Sequence, residues 1–282
     1  MDISNEEIKK KKKINKLLDV LLVFFIVVFL VSGFFLARYI YNVKKSESAF
    51  ADVGKLITDN APDSDTTNSG KKIIEKDGKY YVEQGNGEDD ILFKYNELYE
   101  KNHDFIGWIH IDDTPIDYPV MYTPQDDEFY LRRDFDKNYS LAGTIFIDGR
   151  DKIAVPSDNI IIYGHHMKSG TMFGSLQKYE SQEYYEAHKL INFDTLYDEG
   201  VYEVIAAFKT QIYDDNYTGF VVYDFTDAKT SEDFDYFVSN CKEQSAINAS
   251  ATASYGDKLI TLTTCAYHVD NGRFVVIAKK IN

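Results

Sequence analysis

Cysteine is scarce in this chain. Cys241 and Cys265 are the only two in 282 residues, too few for the disulfide framework that staples a small secreted scaffold. A bond between them would consume both thiols, so that pairing and a free reactive thiol are alternatives. Positive charge is scarce beyond residue 45. The chain has 31 Lys and Arg against 46 Asp and Glu, a formal net charge of -15; nine of the basic residues and four acidic ones fall within 1–45, which leaves an excess of twenty negative charges in the remainder. Phosphate contacts need a basic face, so this balance argues against nucleic acid as a partner. Internal repeats are missing, and so is any metal-ligand spacing. His165 and His166 are adjacent with no Cys or carboxylate at ligand distance in the sequence, and Asp214-Asp215 reads as a solvated pair. No metal or cofactor is expected.

What the chain does have begins at its N-terminus. Residues 1–16 are polar with a lysine block from Lys9 to Lys13, and 20–37 carry no charge and are rich in Val, Leu, Ile and Phe. An apolar run of about 20 residues crosses the hydrocarbon core as a helix. Basic residues before such a run hold that end inside the cell, although Lys44 and Lys45 weakly oppose this. A cleaved signal peptide is the competing reading; its apolar region is usually about 7–15 residues, and only Ser48-Ala-Phe-Ala51 loosely resembles a cleavage site. The expected organisation is a cytoplasmic tail over 1–16, a membrane anchor over 17–41, an extracellular stalk over 42–90 and a folded domain over 91–282. Within the stalk, 58–70 has almost nothing to bury and is expected to be disordered, while Asp77-Gly78 between short apolar runs predicts a hairpin over 73–82.

The remainder reads as mainly β. Helical spacing of Ile91, Leu92, Tyr95, Leu98 and Tyr99 predicts a packing helix. Strand candidates follow at 105–111, 116–122, 143–148, 159–163, 190–193, 202–209, 259–264 and 273–279, with helices at 171–179 and 230–243. Seven or eight strands with few helices imply a closed or nearly closed barrel. Phe234, Phe237, Val238 and Cys241 form an i, i+3, i+4, i+7 series, which makes Cys241 a buried helix thiol.

Chemistry gathers at Cys265. It ends the run Lys258-Leu-Ile-Thr-Leu-Thr-Thr-Cys265, whose residue types favour a strand. A thiol serves acyl transfer when it is partly exposed and has a base or positive charge beside it. His165 ends another apolar run, Asn159-Ile-Ile-Ile-Tyr-Gly-His165, and Arg273 lies eight residues past the cysteine. The bland alternative is a small buried cysteine and a surface histidine.

Larger motifs surround these residues. Thr261-Leu-Thr-Thr-Cys265 with Arg273, Tyr163-Gly-His165-His-Met-Lys-Ser-Gly-Thr-Met-Phe173, Ala142-Gly-Thr-Ile-Phe-Ile-Asp148 and Phe129-Tyr-Leu-Arg-Arg-Asp-Phe135 together resemble the sortases, the cysteine transpeptidases of Gram-positive cell surfaces, and class B in particular. The resemblance implies a sortase-like barrel with Cys265 as nucleophile, His165 as acid/base and Arg273 as oxyanion stabiliser. His165 is preferred over His166 because the family's histidine directly follows the glycine, and strand alternation would send the two rings to opposite faces. The resemblance also implies a substrate groove lined by the 210–257 insertion and its helix, with Thr263 and Thr264 near the acyl site; Tyr213, Tyr217 and Tyr223 are further candidates to line it, although most aromatics in a chain with 22 tyrosines are packing residues. The implied partners are surface proteins bearing a C-terminal signal like Asn-Pro-x-Thr-Asn, cut after Thr, and a peptidoglycan amine that receives the product. A cysteine hydrolase passing the acyl group to water and a membrane-tethered binding module without catalysis are the alternatives.

One local signal conflicts with this chemistry. Asp270-Asn-Gly-Arg273 has the composition of a two-residue hairpin. Such a turn would pair Asp270 with Arg273 and leave Cys265 about 16 Å away along its strand, at about 3.3 Å per residue. Joint catalysis therefore requires the strand to end at Cys265 and 266–272 to form a wider loop.

Overall fold

The computed structural model describes residues 3–57, 62, 71–85, 87, 89–153, 155–214, 216–267 and 269–282. The stretch 58–70 expected to be disordered lies outside them apart from Pro62, as do Asp215 and His268. The chain divides into two compact units, Met1–Glu47 and Ser48–Asn282.

The first unit is helical. Helix α1 runs Ile3–Gly54, and its portion Asn15–Gly54 is long and apolar enough to cross a membrane, with a mean hydropathy of 3.1 and none of its apolar window buried. The helix passes the boundary expected at 41. Its last turns belong to the second unit, where Phe50 and Val53, three residues apart and so on one helix face, are buried. Phe50 meets Tyr118 edge-on at 5.3 Å between ring centres.

In the second unit the expected hairpin forms from β1 (Ile73–Lys76) and β2 (Lys79–Val82). Asp77 and Gly78 take φ of 50° and 77°, the left-handed pair that an Asp-Gly turn supplies. A third strand, β3 (Ile91–Leu92), joins β2. The helix expected from 91 therefore starts later, as α2 (Asn96–Lys101). Ile91 and Leu92 pair with Val82 and Tyr81, and the Leu92 N–H donates to the Leu196 carbonyl at 2.7 Å; these bonds outweigh the local helical period.

The expected barrel follows, and among the described residues it has eight strands. They are β4 (Phe105–His110), β5 (Asp117–Met121), β6 (Ile145–Ile147), β7 (Asn159–Tyr163), β8 (Leu190–Thr195), β9 (Val201–Gln211), β10 (Leu259–Cys265) and β11 (Gly272–Lys280). The order β10-β11-β9-β8-β4-β5-β6-β7 closes on itself. Pairs β7/β10 and β5/β6 are parallel and the others antiparallel, so the barrel is mixed.

Alternation along β10 and β11 separates two cores. Ile260, Leu262, Phe274, Val276 and Ala278 belong to the main core with Ile109, Val120, Ile145, Ile162 and Val204. Leu259, Val275 and Ile277 instead join Phe234, Phe237, Val238 and Cys241 of α3 (Ser231–Gln244), the insertion helix. That helix starts where expected because Thr230 Oγ1 accepts the Asp233 N–H at 3.2 Å. Cys241 is fully buried, as its spacing implied, and burial pushes its thiol pKa up. Both cysteines are free.

The helix expected over 171–179 is replaced by shorter pieces. Gly170 and Met172 take left-handed φ of 83° and 52°, which an α-helix excludes, and only a 3-10 turn (Leu176–Glu180) follows. Ser181 then caps the short α-helix Gln182–Ala187.

Candidate active site

Two adjacent strands meet at Cys265. Every residue of β10 before it is buried, and Cys265 itself is half-buried at the strand's end. It shares the outward face with Leu259, Thr261 and Thr263, the side covered by the insertion. The register of β10 and β11 sets Cys265 directly opposite Arg273, and residues so opposed have Cα atoms about 4.5–5.5 Å apart with side chains on the same face. The tight turn does not form. The Ala266 N–H donates to the Gly272 carbonyl at 2.9 Å, the Gly272 N–H to Val269 at 3.1 Å, and the Asn271 carbonyl accepts from Ile212 N–H at 3.0 Å. Asn271 is the residue with positive φ, 56°. The pairing of β10 and β11 thus runs past the turn signal and keeps Arg273 beside Cys265.

On the other side of β10 runs β7, in parallel, with Tyr163 beside Thr263. The Gly164 N–H continues the ladder to the Thr263 carbonyl at 3.0 Å, and the Thr264 hydroxyl donates to the Gly164 carbonyl at 2.8 Å. Only glycine fits there: a Cβ on Gly164 would lie 2.5 Å from Ile145 Cδ1 and 2.6 Å from the Phe173 ring. This close packing delivers His165 next to the end of β10. His165 Nε2 lies 2.7 Å from the Leu131 carbonyl; a carbonyl only accepts, so Nε2 carries the hydrogen and Nδ1 is left as the basic nitrogen. Burial lowers the His165 pKa; the Leu131 bond opposes this and the Arg132 charge adds to it. The ring is therefore neutral at neutral pH.

Arg273 is half-buried, and its Nη1 donates to the carbonyls of Gly272 at 3.0 Å and Asn271 at 3.4 Å. The structure separates three of the groove candidates. Thr264 is turned to the inward face and its hydroxyl is used by Gly164, whereas Thr263, on the Cys265 face, has a buried hydroxyl with no hydrogen-bond partner among the described residues. Tyr223, in the short turn Val222–Asp224, likewise has a buried hydroxyl without a partner there, within the field of Arg273 and Cys265. Burial raises its pKa.

Other groups of this neighbourhood have no signature in the sequence. Asp148 accepts from Arg150 Nε and Nη2, each at 2.8 Å, and from the Tyr163 hydroxyl at 3.0 Å, while Arg150 Nη2 also donates to the Tyr223 carbonyl at 2.8 Å. The pair ties the insertion to β7. Residues two apart in a loop give no periodic signal, so only coordinates reveal it. Among the described residues no cluster of three or more His, Cys, Asp or Glu side chains is arranged to hold a metal ion.

Next to this pair lies Asp151, which is 1% exposed. Its Oδ2 accepts the Ile161 N–H at 2.7 Å, and its Oδ1 has no hydrogen-bond partner among the described residues. Burial first, and then the Asp148 charge, raise its pKa from 3.8 to about 7. The folded state thus holds this proton more tightly than the unfolded chain; the resulting stabilisation is complete below pH 3.8 and is lost as pH rises through about 7. Asp151→Asn, which keeps an acceptor for Ile161 and carries no charge, is expected to raise stability at pH 8 by about 3–4 kcal/mol and by only about 1–2 kcal/mol at pH 5, where the unfolded carboxyl is already ionised and the folded one is not. Denaturant unfolding at both pH values checks this, and equal effects at the two would contradict it.

Comparison with known proteins agrees with this geometry. The model of the Sortase domain matches residues 109–281. Sortase B of Staphylococcus aureus is 35% identical over 190 residues, which is 67% of this chain and 75% of that protein. Sortase B of Listeria monocytogenes is 30% identical over 256 residues, 90% of this chain and 92% of the other. The structure of a Staphylococcus aureus sortase B-substrate complex superposes with a TM-score of 0.61 at 34% identity, covering 67% of this chain and 85% of that one. The chain belongs to the sortase family, with the class B enzymes as its relatives, and is a cysteine transpeptidase.

Proposed function

We propose that the chain is anchored in the cell membrane by residues 17–41, with 1–16 in the cytoplasm and 91–282 outside, and that it attaches surface proteins to the cell wall. Its substrate is a C-terminal signal like Asn-Pro-x-Thr-Asn, and its acceptor is a peptidoglycan amine. The observation that carries the chemistry is the β10/β11 register, with Cys265 opposite Arg273. The uncharged run at 20–37 behind a lysine block supports the anchor and its orientation.

The steps follow from the side chains. Neutral His165 takes the thiol proton, and the Cys265 sulfur attacks the carbonyl carbon of the Thr residue. The tetrahedral oxyanion is stabilised by the Arg273 guanidinium. His165 returns the proton to the departing amine, which leaves a thioester on Cys265. An incoming amine then attacks the thioester, loses a proton to His165 and regenerates the thiol. Thr263, on the Cys265 face of β10, and Tyr223 form the floor of the groove; their hydroxyls are buried without a hydrogen-bond partner among the described residues.

The test is to incubate the full chain in detergent with a sorting peptide and triglycine and weigh the products. The expected product is the peptide cut after Thr and joined to triglycine. Hydrolysed peptide alone would make the protein a hydrolase, and no cleavage would remove this signal from consideration.

A further inference from the structure

The neighbouring histidine has no part in those steps, yet it touches the same residue. His166 Nδ1 lies 2.8 Å from the Cys265 carbonyl oxygen, and its ring packs edge-on against Tyr267 at 5.4 Å. The ladder between β7 and β10 explains why that oxygen needs a side-chain donor. Thr263 offers its carbonyl to the Gly164 N–H, and carbonyls two residues apart on a strand point to the same neighbour. The next oxygen in that row is that of Cys265, and the backbone N–H that would reach it in a continued ladder belongs to His166. The chain leaves the ladder before that rung. His166 forms an isolated bridge with Met172, and the Phe173 N–H donates to the His165 carbonyl at 3.0 Å. The ring of His166 thus presents a donor where regular pairing would have presented its main chain.

A carbonyl only accepts, so Nδ1 of His166 carries the hydrogen, the opposite tautomer to His165. The peptide unit that follows Cys265 is then held at both ends: its oxygen by His166, and its nitrogen, that of Ala266, by the Gly272 carbonyl. We infer that His166 is a positioning residue, whose Nδ1–H fixes the Cys265–Ala266 peptide and thereby holds the sulfur in register with Arg273. This rests on the roles assigned to Cys265 and Arg273 above.

Two variants separate the donor from the ring. His166→Phe keeps the packing against Tyr267 and loses the hydrogen bond; His166→Asn keeps a donor close to the place of Nδ1. In the peptide and triglycine assay with the full chain, His166→Phe is expected to lower kcat about threefold to tenfold with KM nearly unchanged, the size of one hydrogen bond, and His166→Asn to recover most of that loss. Nitrogen-15 spectra of the wild-type ring are expected to show the Nδ1–H form, a readout that requires no variant to fold. Wild-type kcat in His166→Phe, no recovery in His166→Asn, or an Nε2–H ring would each overturn the inference. Full turnover by Cys265→Ala would instead overturn the assignment of the nucleophile and this positioning role with it, whereas an inactive Cys265→Ala beside an unimpaired His166→Phe would overturn the positioning alone.

Discussion

Cys265→Ala is expected to lower transpeptidation by at least about 10⁴-fold, the scale seen when a covalent nucleophile is removed from a catalytic group that acts as a unit. No other thiol can replace it. Cys241 is fully buried between α3 and the outer face of the barrel, and burial raises its pKa, so it is neither ionised nor reachable. Cys265 is half-buried at a strand end, and the loss of one sulfur there should leave the melting temperature close to that of the wild type. The same contrast predicts the pattern of alkylation: iodoacetamide should modify Cys265 in the folded protein and leave Cys241 untouched until the chain is unfolded. Peptide mass mapping after a short exposure reads both sites at once. Equal modification of the two cysteines, or a Cys265→Ala enzyme that still forms the triglycine adduct, would end the assignment of this sulfur as the nucleophile.

How far the sequence could be read depended on the range of the interactions involved. The strands carrying Cys265 and His165 were legible because each is a run of β-branched and apolar residues, and a strand of that kind is specified mainly by its own composition. The Asn271-Gly272 turn signal was equally local but did not prevail. Arg273 is fixed by a ladder from Leu259–Lys279 to Cys265–Arg273 on one side and by the pairing of β11 with β9 on the other, and two residues of turn preference cannot shift that many backbone bonds by several places. The alternation expected to separate His165 from His166 assumed that the strand continues. Because β7 ends at Tyr163 and the chain leaves the ladder after Gly164, one ring reaches the Leu131 carbonyl and the other the Cys265 carbonyl. Asp148, Arg150 and Asp151 were illegible for a different reason: their roles come from burial and from partners far along the chain, which spacing does not encode.

Arg273→Ala is expected to lower kcat about 10²–10³-fold, the cost typical of removing one oxyanion donor, and Arg273→Lys to recover little of it. The resting contacts explain the second expectation. Arg273 has no carboxylate partner among the described residues; its Nη1 donates to the Gly272 and Asn271 carbonyls, and those neutral contacts hold the guanidinium on the same face as the sulfur. A guanidinium has five donors in a fixed plane, so one nitrogen can keep its backbone anchor while others face the oxyanion. A lysine ammonium has three donors but they radiate from one nitrogen on a flexible stem, so it has no fixed fork to span the backbone anchor and the oxyanion together. Burst kinetics with the sorting peptide locate the loss: both variants should slow formation of the thioester as well as its transfer, because a tetrahedral oxyanion forms in each half of the reaction. Wild-type kcat in Arg273→Lys would mean that positive charge alone suffices and the planar fork contributes nothing. A loss below tenfold in Arg273→Ala would reduce Arg273 to the residue that closes the β10/β11 hairpin and pass the oxyanion to other donors at the mouth of the barrel.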